Sequence, residues 1–121
     1  MRLLCVISLL ATIGSHNAGI KTFKNFVVFW IPPQVETYLS VTPENIEARA
    51  LKIVHIKDEE QPDKIISLIK KSKQAVDTKR IRVKITADDK FYNFDSYGTG
   101  VSSAGEAVQI DFNKLKLALC E

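Results

Sequence analysis

The regular alternation of apolar and charged residues is clearest between Lys79 and Ile85. Every second residue of this stretch is β-branched and apolar, and the residues between them are basic. Successive side chains of a strand point to opposite faces of a sheet, so the pattern predicts a strand with one face in the core and one in solvent. The predicted core residues are Ile81, Val83 and Ile85, and the predicted solvent-facing residues are Arg80, Arg82 and Lys84.

Four other stretches have the composition of strands. An apolar run rich in aromatic and β-branched residues occupies 23–31 and stops at a Pro-Pro pair. A similar, shorter run occupies 51–56. Residues 91–95 follow an acidic turn and return from the 79–85 strand as a hairpin, and residues 106–110 form a last short strand.

Three segments have the features of helices. Thr42, Pro43 and Glu44 supply a hydroxyl cap, a proline in the first turn and an acid there, which predicts a short helix. Residues 62–74 have an apolar stripe and end in lysines, which predicts a second helix. Asp111 is the predicted cap of a third. Its apolar residues recur at i, i+3 and i+7 and are Phe112, Leu115 and Leu119.

The order of these elements indicates an α+β domain with a small antiparallel sheet. The sheet is predicted to contain a three-stranded C-terminal meander and one or two N-terminal strands, with residues 96–100 as a flexible loop. Buried charges without partners are costly, so the basic residues of the 79–85 strand require a wet outer face. We therefore expect the helices to pack on one face only.

The first 18 residues have the organisation of a secretory signal peptide. Arg2 supplies a positive start, residues 3–13 are almost entirely apolar, and small residues follow up to Ala18. The apolar run is too short to span a bilayer as a helix. The alternative is a buried N-terminal segment of a cytosolic domain. We expect a signal peptide at 1–18, a single domain at 19–121, and a periplasmic or secreted protein.

Charge and cysteine content exclude two classes of small protein. The chain has 17 basic and 14 acidic residues, a net charge of +3, which is too small an excess for a dedicated nucleic-acid binder. It has 2 cysteines. Cys5 lies in the predicted signal peptide, and Cys120 would remain alone, so a disulfide-rich scaffold is excluded. Cys120 is either buried or pairs between chains.

No motif in the sequence predicts catalysis, a metal or a cofactor. A pair of His55 and Cys120 would need a rigid nucleophile, and Cys120 is next to the C-terminus. Residues 100–105 lack the spacing of a nucleophile elbow. The acidic residues between 88 and 95 do not match a calcium loop and are typical of turns. We therefore expect no catalytic residue, no metal site and no cofactor.

The basic strand face is the remaining candidate for function. Arginine next to aromatic residues is the composition of protein-interface hot spots. The predicted partner-binding residues are Arg80, Arg82, Lys84, Tyr92 and Tyr97. The sequence favours a small exported, non-enzymatic protein that binds an acidic protein partner, such as an inhibitor or an immunity-type protein. The alternatives are a plain solvated surface, a binder of anionic cell-envelope ligands, and a small hydrolase using His55.

Overall fold

Seven strands form one antiparallel sheet in the computed structural model, which describes residues 23–37 and 39–119. The strands are β1 (Phe26–Trp30), β2 (Lys52–His55), β3 (Lys70–Lys71), β4 (Ile81–Ala87), β5 (Lys90–Asp95), β6 (Thr99–Ser102) and β7 (Ala107–Gln109). Their order across the sheet is β2-β1-β4-β5-β6-β7-β3. The predicted α+β class is confirmed, and the predicted small size of the sheet is wrong. The predicted signal peptide and Cys120 lie outside the described residues.

Three short helices accompany the sheet: α1 (Ile46–Arg49), α2 (Gln61–Leu68) and α3 (Phe112–Ala118). Helix α3 begins as predicted, because Oδ1 of Asp111 accepts hydrogen bonds from the backbone N–H groups of Asn113 at 2.9 Å and Lys114 at 3.3 Å. Helix α1 begins at Ile46 rather than at Pro43. In the part of the chain that the structure describes, no helix is both long enough and apolar enough to cross a membrane.

The main core lies between the sheet and helices α2 and α3. Alternate residues of the central strands point to this side, and the helices cover them with their apolar stripes. The buried side chains of the main core include Phe26, Val28, Ile65, Val83, Ile85, Phe94 and Leu115. The two helices are joined at their ends, since Nε2 of Gln61 donates a hydrogen bond to the carbonyl oxygen of Ala118 at 2.5 Å.

A second cluster of buried residues lies on the opposite face of the sheet. Phe29 packs against it, whereas its strand neighbours Val28 and Trp30 pack in the main core. The buried members of the second cluster are Ile31, Val41, Ile46 and Ile81. Ile31, Val41 and Ile46, the last of them in helix α1, therefore cover part of the face that was expected to be entirely wet. The helices thus do not all pack on one face, since α2 and α3 pack on the other.

Two segments differ from their predicted structure because some of their residues pair with the edges of neighbouring strands. The predicted helix at 62–74 stops at Leu68, and Lys70 and Lys71 then pair with β7 as strand β3. The predicted flexible loop at 96–100 becomes ordered at Thr99, where β6 starts and pairs on both sides with β5 and β7. The C-terminal meander therefore has the four strands β4 to β7 rather than the predicted three.

Candidate functional site

A β-bulge at the start of β4 decides where the basic residues point. Ile81 pairs with Asp95 and Val83 pairs with Phe94. Arg82 is therefore an extra residue that has no pairing partner on β5. The alternation of β4 is broken at this point. Ile81 enters the second cluster while Val83 enters the main core, and all of the predicted core residues are buried but not on one face.

Arg82 is buried as a result, and the prediction that it faces solvent is wrong. Its residue surface is only 7 % exposed. One terminal nitrogen, Nη1, donates to the carbonyl oxygen of Ile81 at 3.0 Å, and the buried Nε has no hydrogen-bond partner. The ion pairs found among the described residues join Arg80 to Asp77 and Lys84 to Glu47. Arg82 is therefore a buried guanidinium that forms no ion pair with a carboxylate of the described residues.

The Arg82 side chain lines a polar cleft of about 570 Å³, here called the Arg82 cleft. Its lining residues come from 33–37 and Ser40 after β1, from the region before and at the start of β4 (Asp77, Lys79, Arg80 and Arg82), and from Ser96 after β5. Lys79 and Arg80 add two further cations to the lining, and Glu36 and Asp77 add two acids. The lining therefore includes three positive and two negative residues, of which Arg82 is buried.

Arg80, which lines this cleft, contacts Tyr97, which lines a different polar cleft; the two side chains are here called the rim. Nη1 of Arg80 lies 3.5 Å from the Tyr97 hydroxyl, and Nε of Arg80 lies 3.9 Å from Oδ2 of Asp77. Tyr97 is 74 % exposed, and the Arg80 side chain is also largely exposed. Two of the predicted partner-binding residues are therefore neighbours on the surface, and one of them, Arg80, lines the same cleft as Arg82.

The other two predicted partner-binding residues lie elsewhere. Nζ of Lys84 is 2.5 Å from Oε2 of Glu47 and 5.1 Å from the ring centre of Phe91, and the Lys84 side chain is only 13 % exposed. Lys84 therefore already has a partner in α1. Tyr92 stands opposite Ile85 and packs half-buried against the main core, on the other face of the sheet from Lys84.

Asp95 fixes the rim in place. Its carboxylate is 2 % exposed and accepts three backbone hydrogen bonds, from Asp77 at 2.9 Å, Tyr97 at 2.9 Å and Thr99 at 3.1 Å. These bonds tie the 77–80 segment to the turn that presents Tyr97. The sequence analysis interpreted Asp95 as a turn-forming aspartate. It did not predict these hydrogen bonds, here called the Asp95 bridge, because Asp77 and Tyr97 are distant in the chain.

The candidate catalytic and metal residues that the structure describes do not assemble into a site, and Cys120 lies outside these residues. His55 is exposed on β2, an edge strand of the sheet, and residues 102–105 form the turn between β6 and β7. Among residues 23–37 and 39–119, no group of three histidines, cysteines or acids is placed to hold a metal ion. The acids Asp88 and Asp89 form the two-residue turn between β4 and β5, as expected.

A mainly apolar cleft of about 610 Å³ shares the lining residues Pro33 and Gln34 with the Arg82 cleft. Trp30 and Phe112 form part of its wall and meet edge to face, with ring centres 5.8 Å apart. The described residues that line it include no acid, histidine or hydroxyl group. The cleft therefore offers mainly apolar contact surface, with the lysines Lys52 and Lys116 as its charged lining residues.

Models of known protein families, curated protein sequences and solved structures were compared with the chain, and none of them matches it. The function proposed below therefore rests on the Arg82 cleft and the rim.

Proposed function

We propose that this chain is a small, non-enzymatic binding protein that recognises an acidic protein partner through the rim formed by Arg80 and Tyr97. The observation that supports this proposal best is the contact of these two exposed side chains, since one of them, Arg80, lines the same cleft as a buried arginine. Arginine and tyrosine are the residues most enriched among interface hot spots.

The rim has the physical properties that a protein interface requires. Tyr97 offers a large, amphipathic ring at a low cost in side-chain entropy, and the Asp95 bridge holds its backbone in position. Arg80 adds an exposed positive charge that increases the rate of encounter with an acidic surface. The interface proposed here is narrower than the sequence suggested, since it does not use Lys84 or Tyr92.

An anionic cell-envelope ligand is the second candidate. The same cations, Lys79, Arg80 and Arg82, favour it. A polymeric anion would bind with a steep salt dependence and little sensitivity to the loss of the Tyr97 ring. A protein interface would depend strongly on that ring.

We also propose that the chain is exported, on the basis of its first 18 residues. Intact-mass measurement of the protein from its native host should show loss of a segment that ends between Ser15 and Ala18. Full-length protein recovered from the cytosol would contradict export.

The test of the proposed interface begins with a pull-down that uses the protein as bait, followed by binding kinetics with the captured partner. Tyr97→Ala should weaken binding by about 30-fold or more, the size expected of a hot-spot aromatic. Arg80→Glu should mainly slow association, and the effect should shrink at high salt.

Two control variants match these changes in chemistry and exposure. Leu117→Ala removes a side chain from a residue that is 69 % exposed on α3. Lys90→Glu reverses an exposed charge at the opposite end of β4 and β5. Both controls should bind as the parent does. Equal behaviour of all four folded variants would place the interface elsewhere.

A further inference from the structure

The buried guanidinium of Arg82 forms no direct ion pair with a carboxylate of the described residues. Desolvating a guanidinium is costly unless an anion and hydrogen bonds compensate for the lost water. Here Nη1 bonds to one carbonyl oxygen, and Nε is enclosed without a partner. An unpaired buried N–H is costly, so an acceptor that bonds to Nε would be favoured.

We propose that the Arg82 cleft receives a single carboxylate, namely an aspartate or glutamate side chain of the protein partner. This inference rests on the proposed function, since it names a group on the partner that binds in the cleft lined by Arg80 of the rim. Lys79 and Arg80 are the exposed cations of the lining, and Arg82, the buried one, is the proposed receptor.

The guanidinium geometry favours a carboxylate. Nη1 is engaged by the Ile81 carbonyl oxygen, whereas Nε and the neighbouring Nη2 form the side-on donor pair that binds the two oxygens of a carboxylate. Because Nε is closed off from solvent in the free protein, seating an oxygen there requires the cleft wall to shift.

The charge of the cleft favours a monoanion. Its three cations are opposed by Glu36 and Asp77, which leaves one uncompensated positive charge. A carboxylate balances that charge. A phosphate dianion would exceed it and would be repelled by the two acids in the walls.

The first experiment uses the ¹⁵N-labelled protein with the whole domain, residues 19–121. It follows the side-chain Nε–H resonance of Arg82 by NMR. Sodium acetate is the probe for a carboxylate, inorganic phosphate is the probe for an envelope-type anion, and sodium chloride keeps the ionic strength constant. Acetate should shift the Arg82 resonance in a saturable manner, together with backbone resonances of residues 33–37. A flat acetate titration, or tighter binding of phosphate than of acetate, would overturn the proposal.

The second experiment compares Arg82→Met with Arg80→Gln. Methionine keeps the length and apolar stem of the side chain and removes the buried charge, so Arg82→Met should be at least as stable in urea as the parent. Acetate should raise the urea midpoint of the parent and of Arg80→Gln but not that of Arg82→Met. If Arg82→Met does not fold, Arg82→Gln takes its place. Equal stabilisation of the parent and the Arg82 variant by acetate would overturn the proposal.

Binding measurements with the captured partner distinguish the carboxylate site from the proposed rim interface. Arg82→Met should weaken partner binding by about 10-fold or more, and acetate should compete with the partner. If Tyr97→Ala and Arg80→Glu weaken binding while Arg82→Met and acetate do not, the carboxylate site is wrong and the rim interface stands. If none of the three variants affects binding, both assignments are overturned.

Discussion

Single residues of β4 show what an alternating pattern can and cannot predict. The burial of Ile81, Val83 and Ile85 was predicted correctly, because a run of β-branched residues at every second position has to reach a core. The burial of Arg82 was not predicted, because it depends on a bulge, and the bulge depends on how β4 pairs with β5. A bulge of this kind leaves no mark in the sequence of one strand.

The carboxylate of a single residue, Asp95, should contribute strongly to the free energy of unfolding. Asp95→Ala leaves the backbone N–H groups of Asp77, Tyr97 and Thr99 without their acceptor in a buried place. Each such loss is costly, so we expect the free energy of unfolding to fall by about 2–4 kcal/mol in urea melts.

The matched control for this prediction is Asp89→Ala. Asp89 is exposed in the turn between β4 and β5, and its replacement should change stability by no more than about 0.5 kcal/mol. Similar urea midpoints for the two variants would show that the Asp95 bridge contributes little.

Whole elements were predictable where local chemistry decides them. The cap of α3 needs only an aspartate before an apolar stripe, and Asp111 provides it. Strands β3 and β6 were not predictable, because they form by pairing with edges of β7 and β5 that only the folded sheet provides. The lysines of β3 and the glycines near β6 have low strand propensity, so pairing overrides composition here.

The turn between β5 and β6 supplies a prediction for an element. Gly98 has a φ of +85°, and a Cβ added to it would lie 2.5 Å from the carbonyl oxygen of Ile110. Gly98→Ala therefore meets both a left-handed backbone and a backbone clash, and we expect it to destabilise the protein by about 2–4 kcal/mol in urea melts.

Gly105→Ala separates those two causes. Gly105 has a φ of +83°, and a Cβ added there would meet nothing within 4 Å. Only the left-handed conformation is penalised, so the expected loss is about 1 kcal/mol. If the two variants lose equal stability, the close approach of Gly98 to Ile110 is not a constraint on the turn.

For the whole molecule, composition and element order were enough to predict an antiparallel α+β domain, but not the extent of the sheet. Of the residues predicted to bind a partner, Arg80 and Tyr97 contact each other, whereas Lys84 and Tyr92 lie apart from them, and their role in binding stays a prediction. Strand order decides which distant residues become neighbours, and strand order is a property of the complete fold.

The two buried clusters should unfold as one unit, because β4 contributes Ile81 to the second cluster and Val83 and Ile85 to the main core. Ile46→Ala opens a cavity in the second cluster and should lower the free energy of unfolding by about 2–5 kcal/mol. Hydrogen exchange should then accelerate by the same factor at the Ile31 amide, which bonds to the Arg82 carbonyl oxygen, and at the central amides of β4.

Glu44→Ala is the control for this change, since Glu44 is exposed in the turn that precedes α1 and its replacement should leave both exchange rates unchanged. Faster exchange at Ile31 alone in Ile46→Ala would mean that segment 31–50 opens independently of the sheet. The cleft wall at 33–37 would then be free to move without unfolding the main core. Equal acceleration at both places would instead show that the wall of the Arg82 cleft is as stable as the sheet to which it is joined.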